Sequence, residues 1–372
     1  MYRSLICLAA LTAIHGAGLG ACTNVQNNSV HRTEGAALTE QLDSLLSSRT
    51  EEGFEGSVLV SRSGDVVLHK TYGSRSTASS QAEPAYWIAS GTKQFTGALI
   101  SVLADEGAIE IDARIGRYID DVPSDKHRIT IRQLLTNTSG LGQSYVAEGI
   151  ADRDTALRSI LSTKLVAQPG QKYSYSNDGF TLLAIIAEAV TGESYEELMR
   201  SRLLDPAGMT RTEFWGFEGR AAIASVPHSD ALVEQSEAIY RDGKSIENWG
   251  YRGATGILST TRDLHSWLVH VMSSRGQPDN ALSQVLQPEQ FIREVHGVGS
   301  VSYGFGLAVV ERDGRLNMVT HIGDDDWLSH NSTVSAYVDG DIIVVLSNSG
   351  YLPDGTPWSA AVTSDIRSAL SK

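Results

Sequence analysis

The sequence predicts an α+β fold, in which an antiparallel sheet built from both ends of the chain carries helices and a mainly helical insertion. Two observations predict it. Apolar and polar residues alternate, as they do in strands, over 56–72 and again between 303 and 347. The section between them, roughly 90–275, carries its apolar residues mostly at helical spacing. One sheet formed by the two strand-rich ends is the economical way to bury both patterns.

The individual elements follow from the same periodicities. The N-terminal end gives a helix over 37–50 and a hairpin over 56–72, with its turn at Ser63-Gly64-Asp65. The middle section gives helices over 91–106, 178–190, 194–203 and 262–272. The C-terminal end gives strands over 303–311 and 315–321, strand signals over 333–347 with a turn at Asp339-Gly340-Asp341, and a last helix over 357–370.

Composition and charge narrow the class of protein. Of the 372 residues, 41% are hydrophobic and 20% are charged, which is typical of a globular protein and excludes a long disordered chain. The net charge of −14 argues against nucleic acid as a partner and against electrostatic docking on anionic membranes. The two cysteines, Cys7 and Cys22, are too few for a disulfide framework or a cysteine-rich metal site.

The first residues have the proportions of a secretory signal peptide. A short start containing Arg3 is followed by an apolar run over 5–19, and the run ends in Leu-Gly-Ala-Cys at 19–22. That ending resembles the bacterial lipobox, which predicts removal of 1–21 and a lipid anchor on Cys22. The alternative is ordinary cleavage beside the small residues, which would leave Cys22 as a free thiol.

The expected mature chain therefore has three parts. Polar, aperiodic residues 22–36 suit a flexible tether. A folded domain fills 37–372, with its α/β part at 37–89 and 285–372 and its mainly helical part at 90–284. The expected location is outside the cytoplasm, as a lipoprotein of the bacterial cell envelope that faces the periplasm.

The first motif that could take part in catalysis is Ser90-Gly91-Thr92-Lys93. Positions i and i+3 share one face of a helix, so the lysine amine can lie beside the serine hydroxyl. A desolvated lysine can take the proton of a serine and make it a nucleophile. Taken alone, the same spacing is equally compatible with a solvated lysine on a helix surface.

Two further motifs follow along the chain. Tyr175-Ser176-Asn177 offers a phenol that could carry a proton and an amide that could hold a substrate carbonyl. The plainer interpretation is a packed tyrosine and an asparagine that caps the next helix. His321-Ile322-Gly323 ends a predicted strand, where glycine would let a substrate approach and histidine could donate a hydrogen bond or a proton. In isolation, this histidine would be a satisfied residue at a strand end.

The ordered set SxxK, YxN and HxG resembles the serine β-lactamase and penicillin-binding protein superfamily, specifically its class C-like branch. That branch contains class C β-lactamases, DD-carboxypeptidases, D-aminopeptidases and related esterases. Further segments that resemble the family lie at 54–60, 134–141, 169–177, 204–209, 256–263, 303–306 and 344–348. The segment at 134–141 has Asn137 where the family usually has histidine.

The resemblance implies a β-lactamase/transpeptidase-like fold and a mechanism. Ser90 would attack a carbonyl to form an acyl-enzyme that water hydrolyses, while Lys93 and Tyr175 manage the proton. Either of the two could be the base, or both could share that role. Further implied roles are an oxyanion hole from the N–H groups of Ser90 and of Asp324 next to Gly323, an acyl-orienting Asn177, and His321 as a donor near the leaving group. No metal or cofactor is implied.

The sequence departs from the family beside the third motif. Ile322 stands where relatives have threonine, whose hydroxyl helps to hold a substrate carboxylate. Asp324-Asp325-Asp326 follows where relatives usually have glycine or small residues, and these carboxylates would repel an anionic substrate unless Asp325 and Asp326 turn outward. The expected substrate is a small ester, amide or peptide whose leaving side is neutral or cationic.

Two alternatives remain open at this point. One is a DD-carboxypeptidase or weak β-lactamase that acts on peptidoglycan peptides or β-lactams, which the envelope location favours. The other is a catalytically inactive scaffold that keeps the fold.

Overall fold

The computed structural model describes residues 27–73, 83–214, 240–241, 244–245, 249–325 and 329–371. The predicted signal peptide, Cys22 and Asp326 lie outside the described residues.

The strands form one large antiparallel sheet and two small ones. The eight-stranded sheet has the order β2-β1-β13-β12-β11-β10-β9-β8, the three-stranded sheet has the order β3-β7-β4, and β5 pairs with β6. The strands are β1 (Gly56–Arg62), β2 (Asp65–Tyr72), β3 (Tyr86–Trp87), β4 (Glu213–Phe214), β5 (Tyr240–Arg241), β6 (Lys244–Ser245), β7 (Ile257–Ser259), β8 (Gln290–Val295), β9 (Gly299–Tyr303), β10 (Ala308–Arg312), β11 (Arg315–Asp325), β12 (His330–Tyr337) and β13 (Ile342–Ser347).

The helices lie on both faces of the large sheet. They are α1 (Asn27–Glu51), α2 (Lys93–Asp105), α3 (Ile131–Leu135), α4 (Arg153–Ser162), α5 (Asn177–Thr191), α6 (Tyr195–Met199), α7 (Thr261–Ser273) and α8 (Trp358–Leu370). A π-helical turn at Arg200–Leu204 continues α6. Among the described residues, no helix combines the length and apolar character that crossing a membrane requires.

Strand β13 shows how the sheet separates two cores. Ile343 and Val345 pack with Leu42 of α1 and Val362 of α8, while Val344 and the other alternate residues pack with the helical part. This strand is therefore apolar on both faces, which explains its unbroken run of aliphatic residues. Because β13 pairs with β1 from the other end of the chain, the predicted α+β sheet built from both ends is confirmed.

Two sequence predictions differ from the structure. Helix α1 begins at Asn27, so residues 27–36, predicted to be a flexible tether, are helical in the structure. The single strand predicted over 303–311 is wrong. Residues 303–311 instead form the end of β9, a turn and most of β10. The turn forms because Gly306 has φ +84°, a conformation that glycine adopts without strain.

This turn packs directly on the helix that carries Lys93. A Cβ atom on Gly97 of α2 would lie 2.0 Å from the Phe305 carbonyl oxygen, and one on Gly306 would lie 2.1 Å from the Lys93 carbonyl oxygen. The two glycines therefore bring backbone against backbone. The contact fixes the start of α2 relative to the large sheet.

Candidate active site

Ser90 and Lys93 lie at the junction between a 3₁₀ turn and a helix. The turn Ala89–Thr92 runs directly into α2, which starts at Lys93. Lys93 Nζ lies 3.1 Å from Ser90 Oγ, so the predicted i, i+3 pairing of amine and hydroxyl is present in the structure. Ala89 has φ +47°, an unfavourable conformation for alanine that costs about 1–3 kcal/mol, immediately before Ser90.

The Lys93 amine is enclosed by acceptors and aromatic rings. The residue is fully buried, and its Nζ donates to Asn177 Oδ1 at 2.7 Å and to the Ala254 carbonyl at 2.8 Å. The Tyr175 ring centroid is 4.8 Å from the same atom. Burial holds the pKa of Lys93 well below its ordinary value, although the nearby Asp324 carboxylate acts in the opposite direction.

Tyr175 and Asn177 are presented by the start of α5. The capping residue is Ser176, whose Oγ accepts a hydrogen bond from the Gly179 N–H at 3.1 Å, so the interpretation of Asn177 as the cap is wrong. Asn177 is the first helical residue, and its amide oxygen is thereby available to Lys93. Burial raises the pKa of Tyr175 above its ordinary value, while a hydrogen bond with the Ser90 side chain acts to lower it.

Strand β11 brings the third motif against the turn that carries Ser90. Gly323 is opposite Ser332 of β12, and a Cβ atom at Gly323 would lie 2.0 Å from the Ile88 carbonyl oxygen and 2.8 Å from the Gly91 nitrogen. The sequence suggested that this glycine leaves space for a substrate. In the structure, its missing side chain leaves space for the protein's own turn at 88–91. The close packing places the Asp324 end of β11 beside Ser90.

His321 lies below this surface and carries no charge at neutral pH. It is 7% exposed, and burial is the main cause that lowers its pKa to about 3. Its ring centroid is 6.5 Å from that of Tyr303, and its Nδ1 has no hydrogen-bond partner among the described residues. A neutral imidazole still has one N–H to donate. Donation of a proton by a charged His321 is therefore disfavoured.

Asp324 places a negative charge at the opening of the site. Its side chain is exposed, and its Oδ2 accepts a hydrogen bond from the Tyr351 hydroxyl at 3.0 Å. The charge acts to raise the pKa of both Lys93 and Tyr175. Asp325 is half-buried and lies opposite His330 of β12. At least the first carboxylate of the predicted acidic run therefore acts on the reacting groups.

One contributor to the site was missed because it is a main-chain atom. The Ala254 carbonyl that binds Lys93 belongs to a turn in which Gly253 and Gly256 both have positive φ. The turn is held to the segment that carries Ser90 by a hydrogen bond from the Thr92 hydroxyl to the Thr255 carbonyl at 2.5 Å. The closely spaced glycines were the available signal, since they indicate a tight turn. Within the described ranges, no cluster of His, Cys, Asp or Glu could hold a metal ion.

We expect His321 to make the protein sensitive to acid. An unfolded histidine has a pKa of about 6.5, so as pH falls below that value the unfolded chain gains a proton that folded His321, with a pKa of about 3, does not accept. Stability is therefore lost as pH falls. Between pH 7 and pH 5 this difference removes about 2 kcal/mol from the free energy of unfolding.

The measurement is urea unfolding of the wild type and His321→Asn at both pH values. The wild type should lose about 2 kcal/mol more than the variant. Asp178, whose pKa burial raises to about 6, changes stability in the opposite direction, but it is present in both proteins and cancels in the comparison. An identical pH dependence in the two proteins would contradict the buried, neutral state of His321.

Comparison with known proteins supports the resemblance seen in the sequence. The family model described as Beta-lactamase matches residues 42–363. Protein flp from Staphylococcus aureus (strain N315) is 26% identical over 334 residues, which cover 84% of this chain and 64% of that protein. The match to Protein flp from strain COL covers 48% of that protein, so the chain spans about half to two thirds of these curated relatives.

Two solved structures illustrate the shared fold. The octameric penicillin-binding protein homologue from Pyrococcus abyssi superposes with a TM-score of 0.71 at 23% identity, covering 89% of this chain and 77% of that one. D-amino acid amidase from Ochrobactrum anthropi SV3 superposes with a TM-score of 0.69 at 21% identity, covering 90% of this chain and 99% of that one. Because the family model spans most of the sequence, including all three motifs, this chain belongs to the Beta-lactamase family, within the serine β-lactamase and penicillin-binding protein superfamily of hydrolases.

Proposed function

We propose that this protein hydrolyses a small ester or amide through an acyl-enzyme on Ser90, with Lys93 as the base. One observation carries the proposal: a fully buried lysine amine lies 3.1 Å from the serine hydroxyl and has a pKa well below the ordinary value. A neutral amine in that position can take the serine proton as the oxygen attacks a carbonyl carbon.

The hydrogen bonds around Lys93 support this direction of proton transfer. A neutral amine has two N–H donors and one lone pair. Asn177 Oδ1 and the Ala254 carbonyl are acceptors and occupy the two N–H groups. The lone pair is then left for the Ser90 hydroxyl. Tyr175, whose pKa is raised, keeps its proton in the free protein and is the candidate to pass a proton to the leaving group.

The developing oxyanion would be bound by two backbone N–H groups, from Ser90 and Asp324. Gly323 supports this assignment because its close packing holds β11 against the turn that contains Ser90. Asn177 would orient the acyl group while it holds Lys93. Neutral His321 would donate a hydrogen bond near the leaving group and would not supply a charge.

The charge at the opening favours a substrate whose leaving side is neutral or cationic. The exposed Asp324 carboxylate reaches Lys93 and Tyr175 electrostatically, and it would repel an anionic group bound beside them. Ile322 lacks the hydroxyl that would help to hold a carboxylate. Amino-acid amides meet this requirement because their leaving group, ammonia, is neutral, and the structural likeness to D-amino acid amidase makes them the first substrates to test.

A second candidate is a DD-carboxypeptidase or weak β-lactamase. The likeness to a penicillin-binding protein homologue favours it, because the same groups could acylate on a peptide or a β-lactam. An inactive scaffold is disfavoured because Ser90, Lys93, Tyr175 and Asn177 are all present and in contact.

Mass spectrometry of quenched reactions tests the proposal. The wild type is mixed with an activated ester, an amino-acid amide, a fluorescent penicillin or a D-Ala-D-Ala peptide. We expect the ester to add one acyl group, on the peptide that contains Ser90, and the Ser90→Ala variant to stay unmodified. Equal labelling of both proteins would refute the assignment of Ser90 as the acylated residue. Efficient turnover of the penicillin or the peptide, with little ester cleavage, would favour the second candidate.

We also propose that the protein is exported and anchored by a lipid on Cys22. The apolar run before Cys22 and the lipobox-like 19–22 support this. Cys22→Ser should move the protein from the membrane fraction to the soluble fraction. Retention of the variant in the membrane fraction would refute the anchor.

A further inference from the structure

The segment that carries Tyr175 is held along its length by the turn after α3. The Val166 N–H donates to the Gly140 carbonyl at 2.8 Å, the Gly170 N–H to the Thr138 carbonyl at 2.8 Å, and the Ser174 N–H to the Asn137 carbonyl at 2.7 Å. A Cβ atom on Gly140 would lie 2.2 Å from the Ala167 carbonyl oxygen, so the two segments are in close contact. The 137–140 turn therefore fixes the position of the backbone over residues 166–174.

Asn137 makes two of the contacts around Tyr175. Its main-chain carbonyl accepts from the Ser174 N–H, and its side-chain Oδ1 accepts from the Ser176 N–H at 3.0 Å. One residue thus binds the peptide groups on both sides of Tyr175. Asn137 is 1% exposed, so water does not compete for these hydrogen bonds.

Residue type matters at this position. Asn137 has φ +56°, and asparagine is among the few residues other than glycine that adopt this conformation readily. Its side chain is also short enough to bond a backbone group close in space. Both properties are needed together, since the left-handed backbone aims the carbonyl at Ser174 while the side chain reaches Ser176.

The second hydrogen bond extends to the start of α5. Ser176 is tied through its N–H to Asn137 and through its Oγ to the Gly179 N–H. The next residue, Asn177, holds the Lys93 amine at 2.7 Å. We propose that Asn137 is a positioning residue for Tyr175 and Asn177, acting through the two peptide groups that it binds. The proposal rests on the hydrolase function proposed above.

Glycine at position 137 separates the two contacts. Asn137→Gly keeps the positive φ and the main-chain bond to Ser174 but deletes the side-chain bond to Ser176. Because small misplacement of a reacting group costs much of its rate, we expect kcat to fall by about 10-fold to 100-fold, with KM nearly unchanged. Asn280→Gly is the matched control. It deletes a hydrogen bond of the same length outside the site, in which the Leu282 N–H donates to the Asn280 side-chain carbonyl at 3.0 Å, and it should leave kcat unchanged.

A double-mutant cycle with Tyr175→Phe shows whether the effect passes through Tyr175. If it does, Asn137→Gly costs much less in the Tyr175→Phe background than in the wild type. Full additivity of the two changes would refute the positioning of Tyr175, and a wild-type kcat in Asn137→Gly would overturn the whole proposal; both outcomes would leave a wild-type Ser90 adduct intact. Loss of the adduct in the wild type would instead refute the hydrolase function.

Discussion

Replacing Lys93 with methionine is expected to slow formation of the acyl-enzyme by about 10²-fold to 10⁴-fold, the range typical of a lost general base. Methionine fills most of the buried volume but cannot accept the proton of the Ser90 hydroxyl. In the wild type, Ser90 Oγ lies 3.1 Å from Lys93 Nζ. Asn177 and the Ala254 carbonyl would also lose their donor, so some stability should be lost with the activity. Stopped-flow acylation with an activated ester measures the rate, and thermal unfolding shows that the variant is folded.

Lys126 provides a matched control in the same chain. It is also buried, at 2% exposure, and its Nζ donates to the Thr163 carbonyl at 2.6 Å and to Asp125 at 2.9 Å. Lys126→Met should lower the melting temperature but acylate at the wild-type rate. If both variants were equally slow, the loss would come from removal of a buried lysine in general. If Lys93→Met acylated within about tenfold of the wild type, Lys93 would not be the base.

The sheet could be predicted from the sequence because its strands have simple surroundings. A Gly-containing turn divides the strand-like residues 56–72, and residues 342–347 form an almost continuous apolar run that is buried on both faces, so both signals are present in the sequence. The turn at 304–307 was missed because Phe305 and Leu307 continue the apolar pattern of the neighbouring strands, although Gly304 and Gly306 were an available turn signal. Strand β8 was missed because it shows no regular alternation of buried and exposed residues.

The chemical groups of the site were predictable, but their states were not. The i, i+3 spacing predicted the pairing of Ser90 with Lys93. The order of the three motifs along the chain, through the family resemblance, predicted the roles of Tyr175, Asn177 and His321. Their protonation depends on burial by residues that are distant in sequence, and hydrophobic periodicity does not show which residues those are. Asn137 and the Ala254 carbonyl were missed for a related reason. The Ala254 carbonyl is a backbone group, which every residue possesses, and the Asn137 side chain binds the Ser176 N–H of a segment distant in sequence.

Replacing Gly323 with alanine is expected to impair activity and stability together. The added Cβ would lie 2.0 Å from the Ile88 carbonyl oxygen and 2.8 Å from both the Gly91 nitrogen and Ser332 Oγ. The Ile88 carbonyl cannot easily retreat, because it accepts hydrogen bonds of 2.9 Å from both the Gly91 N–H and the Ser332 hydroxyl. Strand β11 must therefore move away from the turn that carries Ser90.

That movement separates the two N–H groups proposed to bind the oxyanion, those of Ser90 and Asp324. Overpacking of this kind costs about 1–3 kcal/mol of stability, and a displacement near 1 Å costs about 10²-fold in turnover. Gly116→Ala is the control, since its nearest neighbour would be Val122 Cγ2 at 3.9 Å, an ordinary contact. Urea unfolding and ester hydrolysis of both variants give the two quantities. Wild-type turnover in a destabilised Gly323→Ala protein would show that this end of β11 packs the fold but does not contribute to the oxyanion hole.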